Sequence, residues 1–309
     1  MGMIVIQDNG LKKVIESSLN KQFDDITLED LHRITGIAIM HGGNIIQVPW
    51  QSDGDAMNMR FPDMFYCPPI FNCNEKIDHE KLASDLKYFS HIRTLHIDIP
   101  LKNLSFLKDF TNLNELYIRE CKIEDWSFLE DLINLKYLSI HESNFADLKP
   151  IGALCKKQEE VFIVEEQKLL NDEKTRRDLL FDVPCLTNLE LSKCQITGIE
   201  PLAEGKHFID LNLSYNRIVD LEPLAELVRL YYLTLRWNEI EDITPLSKLK
   251  GLYYLNLRHN RIKDISIFEK LEGNYLHRLF LNHNEITDYA PLQKLHLVHS
   301  DLQELSQER

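Results

Sequence analysis

The chain has 309 residues, 44% of them hydrophobic and 27% charged, which is enough for a large core and excludes disorder as the governing state. Lys and Arg total 35 against 49 for Asp and Glu, a formal charge of −14, so a nucleic-acid backbone would be repelled and is not the expected partner. The opening MGMIVIQDNGLKKV holds neither a signal-peptide core nor a membrane span, and Ile6 stands where N-myristoylation needs Ser or Thr, so the expected location is the cytoplasm without membrane contact.

Residues 11–22 (LKKVIESSLNKQ) place Leu11, Val14, Ile15 and Leu19 on one helical face. Thr27 followed by Asp30 has the spacing of a capping box and predicts a second helix. Residues 34–39 then alternate as a strand. From 43 to 74 this pattern is lost in a long loop rich in Gly, Pro and aromatic residues; its Ser52-Asp53-Gly54-Asp55 lacks the remaining ligands of a calcium loop and reads as a solvated turn. A helix over 78–89 closes this region. Residues 1–91 are thus expected to form a helical N-terminal cap with a degenerate first repeat and a long aromatic loop.

Strands are predicted at 92–97, 113–118 and 135–140, then an eroded one at 158–163 (QEEVFI). The unit spanning 158–185 is overlong, and residues 171–181 within it read as a helix on the outer side. The regular frame restarts at Leu186. Repeats are expected over 92–297, and 298–309 as a polar tail that either caps the stack or frays.

From 208 to 297 one pattern is written four times, at a step of 22 residues stretched once to 24. Leu211, Leu233, Leu255 and Leu279 occupy one place in it; Asn216, Asn238, Asn260 and Asn284 follow five residues later. Alternation around each Leu makes a strand with one buried face, and such a strand must stack on its neighbours to bury its leucines. The Asn amide suits the backbone that turns away afterwards, so this column is predicted to be structural. Asn256, by contrast, is predicted on the open face. Asp-Ile/Leu-x-Pro-Leu follows (Asp220 to Leu224, Asp242 to Leu246), where proline presets a turn or a first helical position.

The spelling L-x-x-L-x-L-x-x-N-x-I with I-x-D-I-x-P-L resembles the leucine-rich repeat family, in the 22-residue subclass of bacterial internalins and of a phosphatase-1 regulatory subunit. The resemblance implies an α/β fold: a right-handed solenoid with one parallel sheet of nine or ten strands on the concave side and short 3₁₀ or turn segments on the convex side. It also implies a protein-binding role.

The six cysteines form no CxxC pair, and Cys121 and Cys194 stand at the Asn position of their repeats. They are expected to be unpaired thiols of a reducing compartment, the alternatives being a metal or a disulfide such as Cys67–Cys73. No P-loop, G-x-S-x-G, H-E-x-x-H or G-x-G-x-x-G occurs, so no catalytic residue, metal or cofactor is assigned. His96 and His141, near Glu115 and Glu142, are expected on a solvated polar face.

The free face divides in two. Early repeats present Glu115, Tyr117, Glu120, Tyr137, Glu142, Glu160, Glu165, Glu190 and Asp210. Late repeats present Tyr215, Tyr232, Arg236, Trp237, Tyr254, Arg258, His259, Arg278, Phe280 and His283. Tryptophan, tyrosine and arginine are the types enriched at binding hot spots, so the late group is the candidate partner-binding site, suited to a protein or peptide with acidic and apolar residues. The reading is a non-enzymatic scaffold or regulator. Its alternatives are an enzyme or enzyme subunit with activity in residues 43–90, and an internalin-like adhesin.

Overall fold

The computed structural model describes residues 4–40, 44–47, 79–169, 185–271, 276–293, 295 and 297–300. They belong to two compact units, Met1–Leu135 and Lys136–Arg309.

In the first unit, helix α1 (Asn9–Leu19) begins where the Asp8 carboxylate accepts from Leu11 N at 2.8 Å, and it buries Leu11, Val14 and Ile15. Helix α2 (Leu28–Leu31) carries the anticipated capping box: Asp30 N donates to Thr27 Oγ1 at 3.2 Å, and Thr27 N to Asp30 Oδ2 at 3.0 Å. Strand β1 (Gly36–Met40) is the degenerate first repeat. Beside it one expectation fails. Residues 44–47, read as loop, form β2 (Asn44–Gln47), antiparallel to β1. The first strand of a stack has one unpaired edge, and a hairpin folded back on it satisfies those backbone groups. The rest of the 43–74 loop, with Cys67 and Cys73, lies outside the described residues. Helix α3 (His79–Leu86) leads into β3 (Thr94–Ile97), which runs parallel to β1 and to β4 (Glu115–Arg119).

The second unit contains β5 (Tyr137–His141), β6 (Asn188–Ser192), β7 (Asp210–Asn212), β8 (Tyr232–Thr234), β9 (Tyr254–Asn256), β10 (Arg278–Phe280) and β11 (His299–Ser300). Each is parallel to the next, and Leu211, Leu233, Leu255 and Leu279 face one another in register. All four are buried. Strand β11 places residues 299–300 in the sheet rather than in a tail; residues 301–309 lie outside the described residues.

The strand predicted at 158–163 is absent. Those residues sit inside helix α4 (Lys149–Leu169), and β5 pairs directly with β6. The buried set Ile151, Leu154, Cys155 and Gln158 has the three-and-four spacing of a helix face, which the short window QEEVFI concealed. Gln158 Oε1 accepts from Leu186 N at 2.8 Å, tying the helix to the start of β6. The overlong excursion therefore begins at 149, not 158, while the helix predicted over 171–181 lies outside the described residues.

The asparagine column is a ladder. Asn260 Nδ2 donates to Leu235 O at 3.0 Å and to Leu257 O at 2.9 Å, and its Oδ1 accepts from Ile240 N at 3.1 Å. Asn238 and Asn284 repeat this pattern on Leu213 and Leu235, and on Leu257 and Leu281. Cys194 fills the same place with its Sγ 3.4 Å from Ile140 O; burial pushes that thiol up to about 11. On the outer side Asp220, Asp242, Asp264 and Asp288 each accept from the N–H two residues on, at 2.8–2.9 Å, starting 3₁₀ turns that mostly carry Pro at their first positions. The leucine-rich repeat architecture thus stands in both units: parallel strands, then a turn, then a short 3₁₀ segment, with helices at the N-terminus.

Candidate functional site

The chain leaves strands β7 to β10 through a residue in the left-handed region: φ is 58° at Tyr215, 57° at Trp237, 56° at His259 and 60° at His283. The N–H of that residue continues the inter-repeat ladder. Tyr215 N donates to Arg236 O at 2.9 Å, Trp237 N to Arg258 O at 2.9 Å and His259 N to Asn282 O at 3.0 Å. Side chains at this position therefore rise one above another. The four rings form a continuous stack, with centroids 5.8 Å apart for Tyr215–Trp237, 3.8 Å for Trp237–His259 and 4.0 Å for His259–His283, each pair tilted by 11°. They belong to the margin of the sheet, where the frame read from sequence had counted them with the strand face. Trp237 is nonetheless 46% exposed, and His283 is exposed as well.

The strand face proper carries a second run of rings. Tyr232 opposes Tyr254 in register, with ring centroids 6.0 Å apart, and Tyr254 meets Phe280 diagonally at 5.4 Å, since Phe280 itself opposes Asn256. Between the columns stand the arginines. Arg236 Cζ lies 5.1 Å from the centre of the Tyr215 ring, and Arg258 Cζ lies 4.5 Å from that of Phe280. Arg278 opposes Tyr254, and its Nε is buried with no hydrogen-bond partner among the described residues. All ten residues singled out in the sequence lie in one unit, at one side or margin of one sheet.

Two features were not anticipated. Asn256 is only 4% exposed: its Nδ2 donates to Tyr254 Oη at 3.3 Å and its Oδ1 accepts from Arg258 N at 3.2 Å. The strand face is filled across by large side chains, so this small residue is covered rather than open. A third column, Tyr231–Tyr253–His277, with centroids 4.9 and 5.2 Å apart, lines the entry to the strands. Its signal was in the sequence, as the residue just before each Tyr232-type position.

The electrostatics favour a neutral imidazole at His259. Burial, then the neighbouring His283, Arg258 and Arg236, hold His259 below its ordinary value. The early repeats differ. In the first unit His96 packs its ring on Tyr117 at 3.9 Å, and burial lowers its pKa to about 4; burial raises Glu115, which accepts from Thr94 Oγ1 at 3.3 Å. In the second, burial raises Glu190, which accepts from Ser139 Oγ at 3.3 Å, and Glu142 pairs with Lys193. Glu160 belongs to α4 and not to a strand face, and the Glu165 side chain is outside the described set.

No protein-family model matches the sequence, and no curated protein matches it. Solved structures do resemble it. An internalin C2 from Listeria monocytogenes superposes with a TM-score of 0.57 at 20% identity, over 96% of this chain and 94% of that one. A leucine-rich repeat protein from Leptospira interrogans gives 0.50 at 18% identity, over 71% and 56%. The likeness establishes the fold, a leucine-rich repeat solenoid of internalin type.

Proposed function

With the leucine-rich repeat fold as premise, we propose that the chain is a non-enzymatic recognition module whose late repeats grip a segment of a protein partner on the sheet face. The observation that carries this reading is the run of rings Tyr232, Tyr254 and Phe280 on a hydrogen-bonded sheet, beside Arg236 set over Tyr215 and Arg258 set over Phe280. Rings fixed by their neighbours lose little entropy on binding, and adjacent guanidinium groups suit carboxylates, so the segment is acidic with apolar residues between. A formal charge of −14 over the whole chain makes this arginine-bearing face the contrasting one and supports a protein partner over nucleic acid. Cys155 and Cys194 are free, buried thiols, which supports a reducing, cytoplasmic setting.

The test begins with affinity purification of the parent chain and identification of what it captures directly. Arg258→Glu and Trp237→Ala should then lose that capture while circular dichroism keeps its shape, because truncating a true anchor costs about 2 kcal/mol or more. Charge reversals at Glu120 and Glu142 should keep it. The opposite pattern transfers the site to the acidic repeats and ends this assignment.

A further inference from the structure

Resting on that reading, we infer that the bound segment is an amphipathic α-helix with acidic residues along one flank, lying across the strands with its axis along the columns. The reason is a match of periods. Neighbouring strands are about 4.8 Å apart, so equivalent side chains recur at that step from one repeat to the next. One stripe of an α-helix recurs every three or four residues, about 5.3 Å. Same-side residues of an extended segment recur at about 6.7 Å. Over the three steps from Tyr215 to His283, a helix slips against the columns by about 1.5 Å, whereas an extended segment slips by about 6 Å, more than a whole repeat. A helix can therefore place a residue on every repeat, and an extended segment loses register after the first.

Width and charge agree. Tyr232 and Arg236 are four residues apart along one extended chain, about 13 Å, against a helix diameter of about 10–12 Å. An apolar stripe set on Tyr232, Tyr254 and, diagonally, Phe280 would bring its acidic flank over Arg236 and Arg258, which follow Tyr232 and Tyr254 by four residues.

Two synthetic peptides of identical Leu, Glu, Ala and Gln composition, about sixteen residues each, separate the possibilities. In one, Leu recurs every three or four residues with Glu on one flank; in the other, Leu and Glu alternate. A third peptide, carrying Lys in place of each Glu, is the control. Each is titrated calorimetrically into the full chain and into Arg236→Glu, with helicity of the complex followed at 222 nm. The helix-patterned peptide should bind at least about tenfold tighter than the alternating one, gain helicity when bound, and weaken at least about tenfold on Arg236→Glu. Equal or tighter binding by the alternating peptide overturns the helix and leaves the acidic, apolar recognition standing. If neither acidic peptide outperforms the Lys control, or if Arg236→Glu changes nothing, the recognition reading falls with it.

Discussion

Replacing Asn260 by Ala tests the ladder on which the face is mounted. Asn260 donates to the Leu235 and Leu257 carbonyls and accepts from Ile240 N. After truncation the two carbonyls are not orphaned, because Leu235 O still receives Asn238 Nδ2 at 3.0 Å and Leu257 O still receives Asn284 Nδ2 at 2.9 Å. The group left without a partner is the Ile240 N–H. A buried donor in that state costs about 1–3 kcal/mol, and the two thinned carbonyls add a fraction each, so the total is about 3 kcal/mol. Asn260→Cys should recover about 1 kcal/mol of this, since a thiol can still donate to a carbonyl as Cys194 does, yet its sulfur accepts poorly from Ile240 N. Asn256→Ala removes only two long bonds, at 3.2 and 3.3 Å, and should cost about 1 kcal/mol. Urea denaturation of the three variants gives the order. If Asn256→Ala is as damaging as Asn260→Ala, or if the latter costs under about 1 kcal/mol, the ladder does not hold the repeats as argued.

Three further outcomes follow from buried polar groups. His96, with its pKa lowered to about 4, is held neutral in the fold, so the stability it contributes is full above its ordinary 6.5 and is lost as pH falls through 4. Wild type should lose up to about 3 kcal/mol more than His96→Asn between pH 7 and 4, and parallel curves would contradict this; Glu115, raised by burial, acts in the opposite sense, so only the difference between variants is diagnostic. Gln158→Leu should cost about 1–3 kcal/mol in urea by stranding Leu186 N, and a neutral result would detach α4 from the stability of β6. Acidification should quench Trp237, stacked 3.8 Å from His259, with a midpoint below 6.5; the emission difference from Trp237→Phe measures it, and a midpoint above 6.5 overturns the burial argument.

The late repeats were legible because their leucines and ladder asparagines serve a repeating constraint. Leu233 and Leu255 had to be neighbours, and Asn260 had to meet the backbone of the turn, whatever the rest of the chain did. Helix α4 was misread because six residues, QEEVFI, cannot distinguish a period of 2 from one of 3.6; extending the window back to Ile151 shows the helical stripe. Strand β2 carries no repeat frame at all. It exists because β1 has an edge, a tertiary cause that local pattern does not encode. Asn256 was misplaced for a related reason, since alternation gives the side of the sheet a residue takes but not what its neighbours lay over it.

The backbone of the left-handed column does not require the rings it carries. A non-glycine residue at φ near 57° costs on the order of 1 kcal/mol, least for Asn, and this backbone takes that conformation at Glu142 and Lys193 as well as at Tyr215, Trp237, His259 and His283. The turn therefore needs the conformation but not the aromatic ring. A charged side chain serves in the earlier repeats, and the N–H still donates to the next repeat, as Glu142 N does to Ser192 O at 3.0 Å and Lys193 N to Ser214 O at 3.2 Å. From Tyr215 onward the same position carries rings alone, stacked to 3.8 and 4.0 Å, and the adjoining strand positions turn to tyrosine and arginine over the same repeats. Stacking offsets part of the backbone strain, but a glycine or asparagine there would have avoided it. The switch in residue type at an unchanged backbone position is not required by the fold, and it is the ground on which we propose a recognition role for this half of the sheet.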